Sequence, residues 1–531
     1  MWEHDSSFDA YTNRSMELFY KLSQIPRVSG NEAGIRDYLV DWAQSHNFES
    51  AIDVAGNLII YIPASKGQEE KAPIILQGHM DMVGEKTPDS PHQFDRDPIP
   101  VYRDGDHLRA KGTTLGADNG IAIAIAQMLA EQNSLAHPPL ELCFTVEEET
   151  GLDGASKLDP KLLKSNILIN IDSEDEGVIT IGCAGGMDSS IQLPIKRSAT
   201  PELALGSEHQ PDTDIAPQLA SDPATAPQPQ TNNNLHILQL GGLLGGHSGV
   251  EIHKIRANAL QILARVLYAA QKNQFSIHVY GIQGGNAHNA IPREASALLQ
   301  CEPEQTKYLK ELIQNCQENI RQEFLPEEEN LQIQLFTLEM APDHLQSYYK
   351  QQNQEAPIEQ ESLKKVIHLL LALPHGVEKY SGAIPGLVET SSNIAAAHTH
   401  SNYLHILCSQ RSSVPSGLIA ITDRIDACCL LAGASCNHGE PYPPWKPDIH
   451  SLLLARAKKA YSQLFGKEPI VESIHAGLEC GIIGEKLQNA QMISIGPTIQ
   501  HPHSPEEQLH IPSLQKTISF LVQILADYCE T

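Results

Sequence analysis

The spacing of apolar residues along this chain changes period several times, and the changes mark its elements. Residues 15–24, SMELFYKLSQ, carry the spacing of a short amphipathic helix, which Ile25-Pro26 stops. Ser29, Gly30, Asn31 and Glu32 then offer polar starters for a second helix running to His46, with Ile35, Leu39 and Trp42 near one face. Residues 51–62 read as a hairpin with Gly56-Asn57 at its turn. The apolar run 73–78 reads as a strand, and residues 87–110 are turn-rich, with four prolines. A strongly apolar helix at 121–132 precedes two strands of the buried type, 139–149 and 165–175. Strands interleaved with helices predict a layered α/β domain with a mixed sheet flanked by helices.

The pattern shifts near residue 186. Residues 196–234 are rich in Pro, Ala, Gln, Asp, Thr and Asn and nearly free of aromatics, the composition of a disordered low-complexity loop tolerated at the surface. Beyond it we expect a long helix at 253–271, a strand at 275–285, helices near 304–322 and 360–373, and strands near 331–337 and 403–409. Residues 187–441 thus read as an α+β domain inserted into a catalytic domain made of 1–186 and 442–531. The last part carries a helix at 448–465 and a terminal helix.

Composition narrows the function classes. At 531 residues the chain is long enough for more than one core. Its net charge of −28 argues against nucleic acid or an anionic membrane as partner. No segment has the ~18–20 consecutive apolar residues of a membrane span, and the first residues lack the basic and apolar regions of a secretory signal. Ten scattered cysteines without a C-x-x-C read as reduced core thiols of a cytoplasmic protein.

The chemistry collects where strands end. His79 and Asp81 stand two apart in an extended stretch, which points both side chains to one face. Asp118 lies in Gly116-Ala117-Asp118-Asn119-Gly120, where a loop enters a helix. Glu147, Glu148 and Glu149 follow one buried strand, Asp172 follows the next, and His503 sits in Pro502-His503-Ser504-Pro505. Singly these are an ordinary surface pair, an N-cap, a solvated charge run and one histidine among 24. Together they are donors for metal-assisted amide hydrolysis, because ligands of open α/β sheets gather at the carboxyl ends of strands. There is no H-E-x-x-H, no P-loop and no nucleophile elbow, since position 250 in Gly246-His247-Ser248-Gly249-Val250 is valine.

The succession GHMDMV, GADNG, EEETG, IDSED and a late PHSP resembles the M20 family of di-zinc peptidases, in particular its Xaa-His dipeptidase branch. Supporting stretches are IPRVSGNE at 25–32, VAGNL at 54–58, GGHSG at 245–249, NAIPREA at 289–295, QRSSV at 410–414, HAGLECG at 475–481 and SIGPT at 494–498. The resemblance spans nearly the whole chain. It implies that Asp118 bridges two divalent ions. His79 and Asp172 would complete one ion, and Glu149 and His503 the other. Glu148 would be the general base, ahead of Glu147 because Thr150-Gly151 fixes the frame, and Asp81 would orient His79. It implies His247 for the oxyanion, reaching the site of a partner subunit in a homodimer, and Asn289 and Arg411 for the free carboxylate of a dipeptide. Zinc is the implied metal, with manganese or cobalt also compatible with these donors. The same donors would serve a tripeptidase, a carboxypeptidase or an N-acyl amino acid hydrolase, or a catalytically silent peptide- or metal-binding protein.

Overall fold

The computed structural model describes residues 5–132, 134–198, 235–352, 355–382, 384 and 386–530. From residue 199 onward the segment 196–234 lies outside the described residues. The chain forms two compact units: Met1–Gly185 with Ser413–Pro415 and Tyr442–Thr531, and Gly186–Ser412 with Ser416–Pro441.

The first unit opens with α1 (Ala10–Leu22), which starts before the apolar pattern does because Asp9 caps it, accepting from the Thr12 amide at 2.7 Å. α2 (Ala33–Ser45) buries Ile35, Leu39 and Trp42. β1 (Glu49–Ile52) and β2 (Leu58–Ile62) form the expected hairpin, its turn held by Asp53 Oδ1, which accepts from the amides of Ala55, Gly56 and Asn57. β3 (Ile74–His79) is buried throughout. Within the turn-rich stretch lies a hairpin, β4 (Val101–Asp104) and β5 (His107–Ala110). Its β4 strand is mostly exposed, so no apolar alternation announces it. Then come α3 (Ala117–Ala130), buried nearly all round, β6 (Leu140–Thr145), α4 (Asp153–Lys157), β7 (Ile167–Asn170) and β8 (Val178–Cys183).

The second unit is built on a nine-stranded sheet. Its elements are β9 (Gly185–Pro194), β10 (Leu235–Gly241), β11 (Gly246–His247), α5 (Ala259–Lys272), β12 (Ile277–Gly284), β13 (Ala290–Ile291) and β14 (Ala295–Cys301). After these come α6 (Pro303–Phe324), β15 (Gln332–Thr337), α7 (Asp343–Gln352), α8 (Gln360–Ala372) and β16 (Gly376–Tyr380), then β17 (Val388–Thr399), β18 (Tyr403–Ser412), α9 (Pro415–Ala432) and β19 (Ser435–His438). α5 begins later than its apolar spacing suggests, because Asn258 caps it, accepting from the amides of Leu260 and Gln261. β11 pairs with β13 apart from the main sheet, whose edge strands include β15 and β19.

The chain returns to the first unit through α10 (Leu452–Phe465), β20 (Ile470–Ile474), α11 (Glu479–Lys486), β21 (Gln491–Ser494), β22 (Ile499–Gln500), β23 (Gln508–His510) and α12 (Ile511–Glu530). The sheet order is β1-β2-β6-β3-β7-β21-β8-β20, and β6, β3, β7 and β21 run parallel side by side. Alternation along β3 sends Ile74 and Leu76 into the core with α1, α3 and α12, and Ile75 into the core with α4 and α11. The sheet is therefore covered on both faces, and the fold is a layered α/β one. Among the described residues no helix is long and apolar enough to cross a membrane, and all ten cysteines are free.

Candidate metal centre

Three neighbouring parallel strands, β6, β3 and β7, end on the same side and pass their side chains to one place, which a loop after β22, in a separate sheet, also reaches. His79 is the last residue of β3, Glu148 and Glu149 follow β6, Asp172 follows β7, and His503 lies on the loop after β22. Asp118 comes from the entry to α3, where its ψ of 105° is not yet helical and its peptide to Asn119 is cis.

Asp118 stands between two groups of donors. Its Oδ1 lies 3.2 Å from His79 Nε2, which is also 3.5 Å from Asp172 Oδ1. Its Oδ2 lies 2.9 Å from His503 Nε2, which is 3.1 Å from Glu149 Oε2. In each group, His79 with Asp118 and Asp172, and Asp118 with Glu149 and His503, one ligand atom per residue falls within 4.8 Å of the others. His79, Glu148 and Glu149 form a third such set.

The electrostatics show what the donors lack. Burial by itself would depress the His79 imidazole, yet Asp172, Asp118 and Asp81 around it lift it well above the usual histidine range. Hydrogen bonds to Asp118 and Glu149 push His503 up to about 11. Burial pushes Glu148 well above the usual carboxylate range and raises Asp172 and Glu149 in the same way. Glu149 Oε1 is buried without a hydrogen-bond partner. Four acids thus converge on two imidazoles that serve as their countercharges, a donor set that fits divalent cations.

Supports surround the donors. Asp81 Oδ1 lies 3.2 Å from His79 Nδ1 and accepts from the Glu148 amide at 3.1 Å; its Oδ2 accepts from Ser29 Oγ at 2.8 Å and the Glu149 amide at 3.2 Å. It therefore ties the histidine to the loop of the two glutamates. Glu147 adopts a left-handed φ of 50° and stands outside all three sets, as does His501.

Sequence reasoning assigned no role to several further groups. Glu507 accepts from the amides of Leu115, Gly116, Ala117 and Asp118 at 2.8 to 3.2 Å, cradling the loop that presents Asp118. Arg27 is buried and donates to the carbonyls of Met80, Asp81 and Gly116. Asn119 accepts from the His79 amide at 3.2 Å and donates to the Ile171 carbonyl at 2.8 Å. A Cβ on Gly78 would come within 2.4 Å of Asn119 Oδ1, so glycine is required there. Glu479, fully buried, accepts from Gln77 Nε2 at 2.5 Å and Thr145 Oγ1 at 2.6 Å, and burial pushes it up to about 8. Arg27 and Glu479 lie in the IPRVSGNE and HAGLECG stretches, so the signal was present without a role to attach to it.

In the second unit, His247 and Asn289 line a cavity of about 690 Å³ together with Arg293, His344 and His398. His247 Nδ1 accepts from the amides of Gly249 and Val250, both at 3.1 Å, which places the ring proton on Nε2. Arg411, on β18, is not among the residues lining this cavity; it is buried and its charge is felt by Asp188.

A layered α/β unit with acids and imidazoles gathered off parallel strand ends defines a class, the metallopeptidases. The chain belongs to peptidase family M20/M25/M40, which it matches over residues 75–527. It is similar to the cytosol non-specific dipeptidase of Escherichia coli strain K12, with 37% identity over 511 residues and 96% of each chain covered. It is also similar to the crystal structure of aminoacylhistidine dipeptidase from Vibrio alginolyticus, with a TM-score of 0.79, 33% identity, and 99% of this chain and 98% of that chain covered. A tripeptidase from Staphylococcus aureus shares the fold at a TM-score of 0.57 and 14% identity, over 99% of this chain and 100% of that one.

Proposed function

We propose that this protein is a dipeptidase that hydrolyses Xaa-His and related dipeptides with the help of two divalent cations, zinc in the first place. The observation that carries the reading is Asp118, whose two oxygens each face a different histidine. The substrate class is supported by the two close relatives, which are named for dipeptides and align over nearly their whole length.

His79 and Asp172 would hold one cation, Glu149 and His503 the other, and Asp118 both. Bound there, the cations supply Lewis acidity for the scissile carbonyl and for water. Glu148 takes the proton of the attacking water and hands it to the leaving amine. Its burial suits a group that must keep a proton between the two transfers. Asp81 fixes the His79 ring and, through the two amides it accepts from, the position of Glu148. His247 would donate from Nε2 to the oxyanion developing in the site of a partner subunit, and Asn289 and Arg411 would hold the free carboxylate, for which a guanidinium fork is well shaped. In this reading residues 187–441 are the lid and dimerisation domain. The exposed Ile419, Leu430 and Leu431 on α9 support a homodimer. The word cytosol in the name of the Escherichia coli relative supports a cytoplasmic setting.

Glu148→Gln should lower kcat by roughly 10²- to 10⁴-fold while the bound metal is retained. Near-normal activity with metal bound would overturn the mechanism. A panel of Xaa-His dipeptides, tripeptides and acyl amino acids, run after chelation and re-addition of single metals, tests substrate and cofactor together. Preference for tripeptides or acyl amino acids would place the enzyme elsewhere in the family.

A further inference from the structure

The first unit holds the candidate metal centre, yet a second group of donors lies in the other unit. α9 presents Asp426 and Cys429, three apart and so on one helical face. After the turn at Gly433 the chain comes back as β19, an edge strand of the nine-stranded sheet, which presents Cys436 and His438, two apart and so on one strand face. The spacing Asp-x2-Cys-x6-Cys-x-His is thus folded into one cluster.

The contacts are tight. His438 Nε2 lies 3.1 Å from Asp426 Oδ1, and Cys436 Sγ lies 4.0 Å from His438 Nδ1. One ligand atom each of Asp426, Cys436 and His438 falls within 4.8 Å of the others, and Cys429 stands outside that set, beside Cys436. The Cys429 thiol donates to the Cys436 sulfur, which also touches Asp426 and Ser189. Ser189 Oγ sits 2.9 Å from His438 Nδ1 and donates to Gln410 Oε1 at 2.9 Å.

We propose that Cys429, Cys436, His438 and Asp426 form a second, separate site for a thiophilic divalent cation of the zinc class, which fastens the edge strand β19 to α9. Two sulfurs, one imidazole and one carboxylate are a four-donor set that zinc accepts tetrahedrally. Zinc–ligand bonds of about 2.0–2.1 Å put neighbouring N and O donors roughly 3.3 Å apart, close to the His438–Asp426 separation. Cys429 is buried while the other three donors are partly or fully exposed, so an ion can reach the cluster from solvent. A surface ion pair would explain His438 and Asp426 alone, but not two thiols in contact on either side of a turn.

The test uses the full chain, purified reduced under a phosphine, stripped of metal and reloaded with cobalt(II). The centre in the first unit contains no sulfur donor, so a thiolate-to-cobalt charge-transfer band reports this cluster alone. We expect that band, about one metal equivalent per chain beyond the two of the first unit, and a metal-dependent rise in thermal stability. Cys436→Ser and His438→Asn should each lose the band and the extra equivalent while dipeptide hydrolysis is unchanged. Cys428→Ser, at the neighbouring thiol that donates to the Ala372 carbonyl, should keep both. Absence of the band in the unmodified chain, or its survival in Cys436→Ser, would overturn the proposal. Because Cys436 is only partly buried and His438 is exposed, these variants test the site even if Cys429→Ser fails to fold.

Discussion

The two halves of the candidate metal centre share Asp118 but are made differently. On one side, His79 is 1% exposed and Asp172 7%; on the other, the His503 side chain is 50% exposed while Glu149 is 6%. His79 ends a strand hydrogen-bonded to neighbours on both sides, and Asn119 holds its amide. His503 sits on a loop with a left-handed φ of 57°. The inner half is thus fixed by the sheet itself, and the outer half by a connection. A cation held in the inner half would exchange only if a strand end moved, whereas one in the outer half would have His503 already facing solvent. On the proposed function, the inner half would then be the permanent anchor and the outer half the one open to water and substrate.

Removing the two histidines in turn tests this most severely. His79→Ala should leave the inner half unable to hold a cation and lower kcat/KM by roughly four decades, the scale of losing several kcal/mol of transition-state stabilisation. His503→Ala should lose only the outer cation, with a fall of roughly 10²-fold that added metal partly restores. Elemental analysis after dialysis against a graded chelator measures both. Equal metal loss from the two variants would break the distinction.

A smaller effect is expected from the residue that joins the halves. Asp81→Asn keeps the shape but replaces one acceptor oxygen by an amide that faces N–H groups. Asp81 meets His79 on one side and the Glu148 and Glu149 amides on the other. Metal affinity should therefore fall by roughly 10- to 100-fold in both halves. A loss confined to the inner half would mean that Asp81 serves His79 alone.

The side chains that gather at the candidate centre were legible in the sequence for a reason the supports do not share. His79, the Glu148–Glu149 pair and Asp172 each follow an apolar run that could be read as a strand, and parallel strands bring such ends together. His503 and Asp118 needed the order of motifs along the whole chain. Arg27, Asn119 and Glu507 work through contacts between distant segments; Glu507 reaches Asp118 across 389 residues. Nothing local distinguishes it from its neighbour Glu506. In the second unit, the first half of β17, Glu389 to Asn393, is polar yet buried, which leaves no apolar alternation to mark it as a strand. The β9 and β19 strands were missed too, and with them the juxtaposition of Cys436 and His438 with α9.

The smallest effect we expect concerns how Asp118, common to both halves, is held. Glu507 accepts four amides at the start of α3, two on each oxygen. These are N–H groups that a helix start leaves without partners of its own, and the positive end of the helix dipole favours a carboxylate there. The buried guanidinium of Arg27, which donates to the Gly116 carbonyl in the same loop, also feels the charge of Glu507. Glu507→Gln preserves the volume but turns an amide donor toward two N–H donors and removes that charge. The change should lower stability by roughly 2 kcal/mol, the scale of leaving buried hydrogen-bonding groups unmet. Measured by denaturant unfolding of the metal-free and metal-loaded chain, the loss should be larger in the loaded form. A displaced Asp118 would weaken both cation sites at once, and bound metal stabilises the fold by an amount that rises with the logarithm of its affinity. An equal loss in the two forms would show that Glu507 braces the loop without setting the position of Asp118.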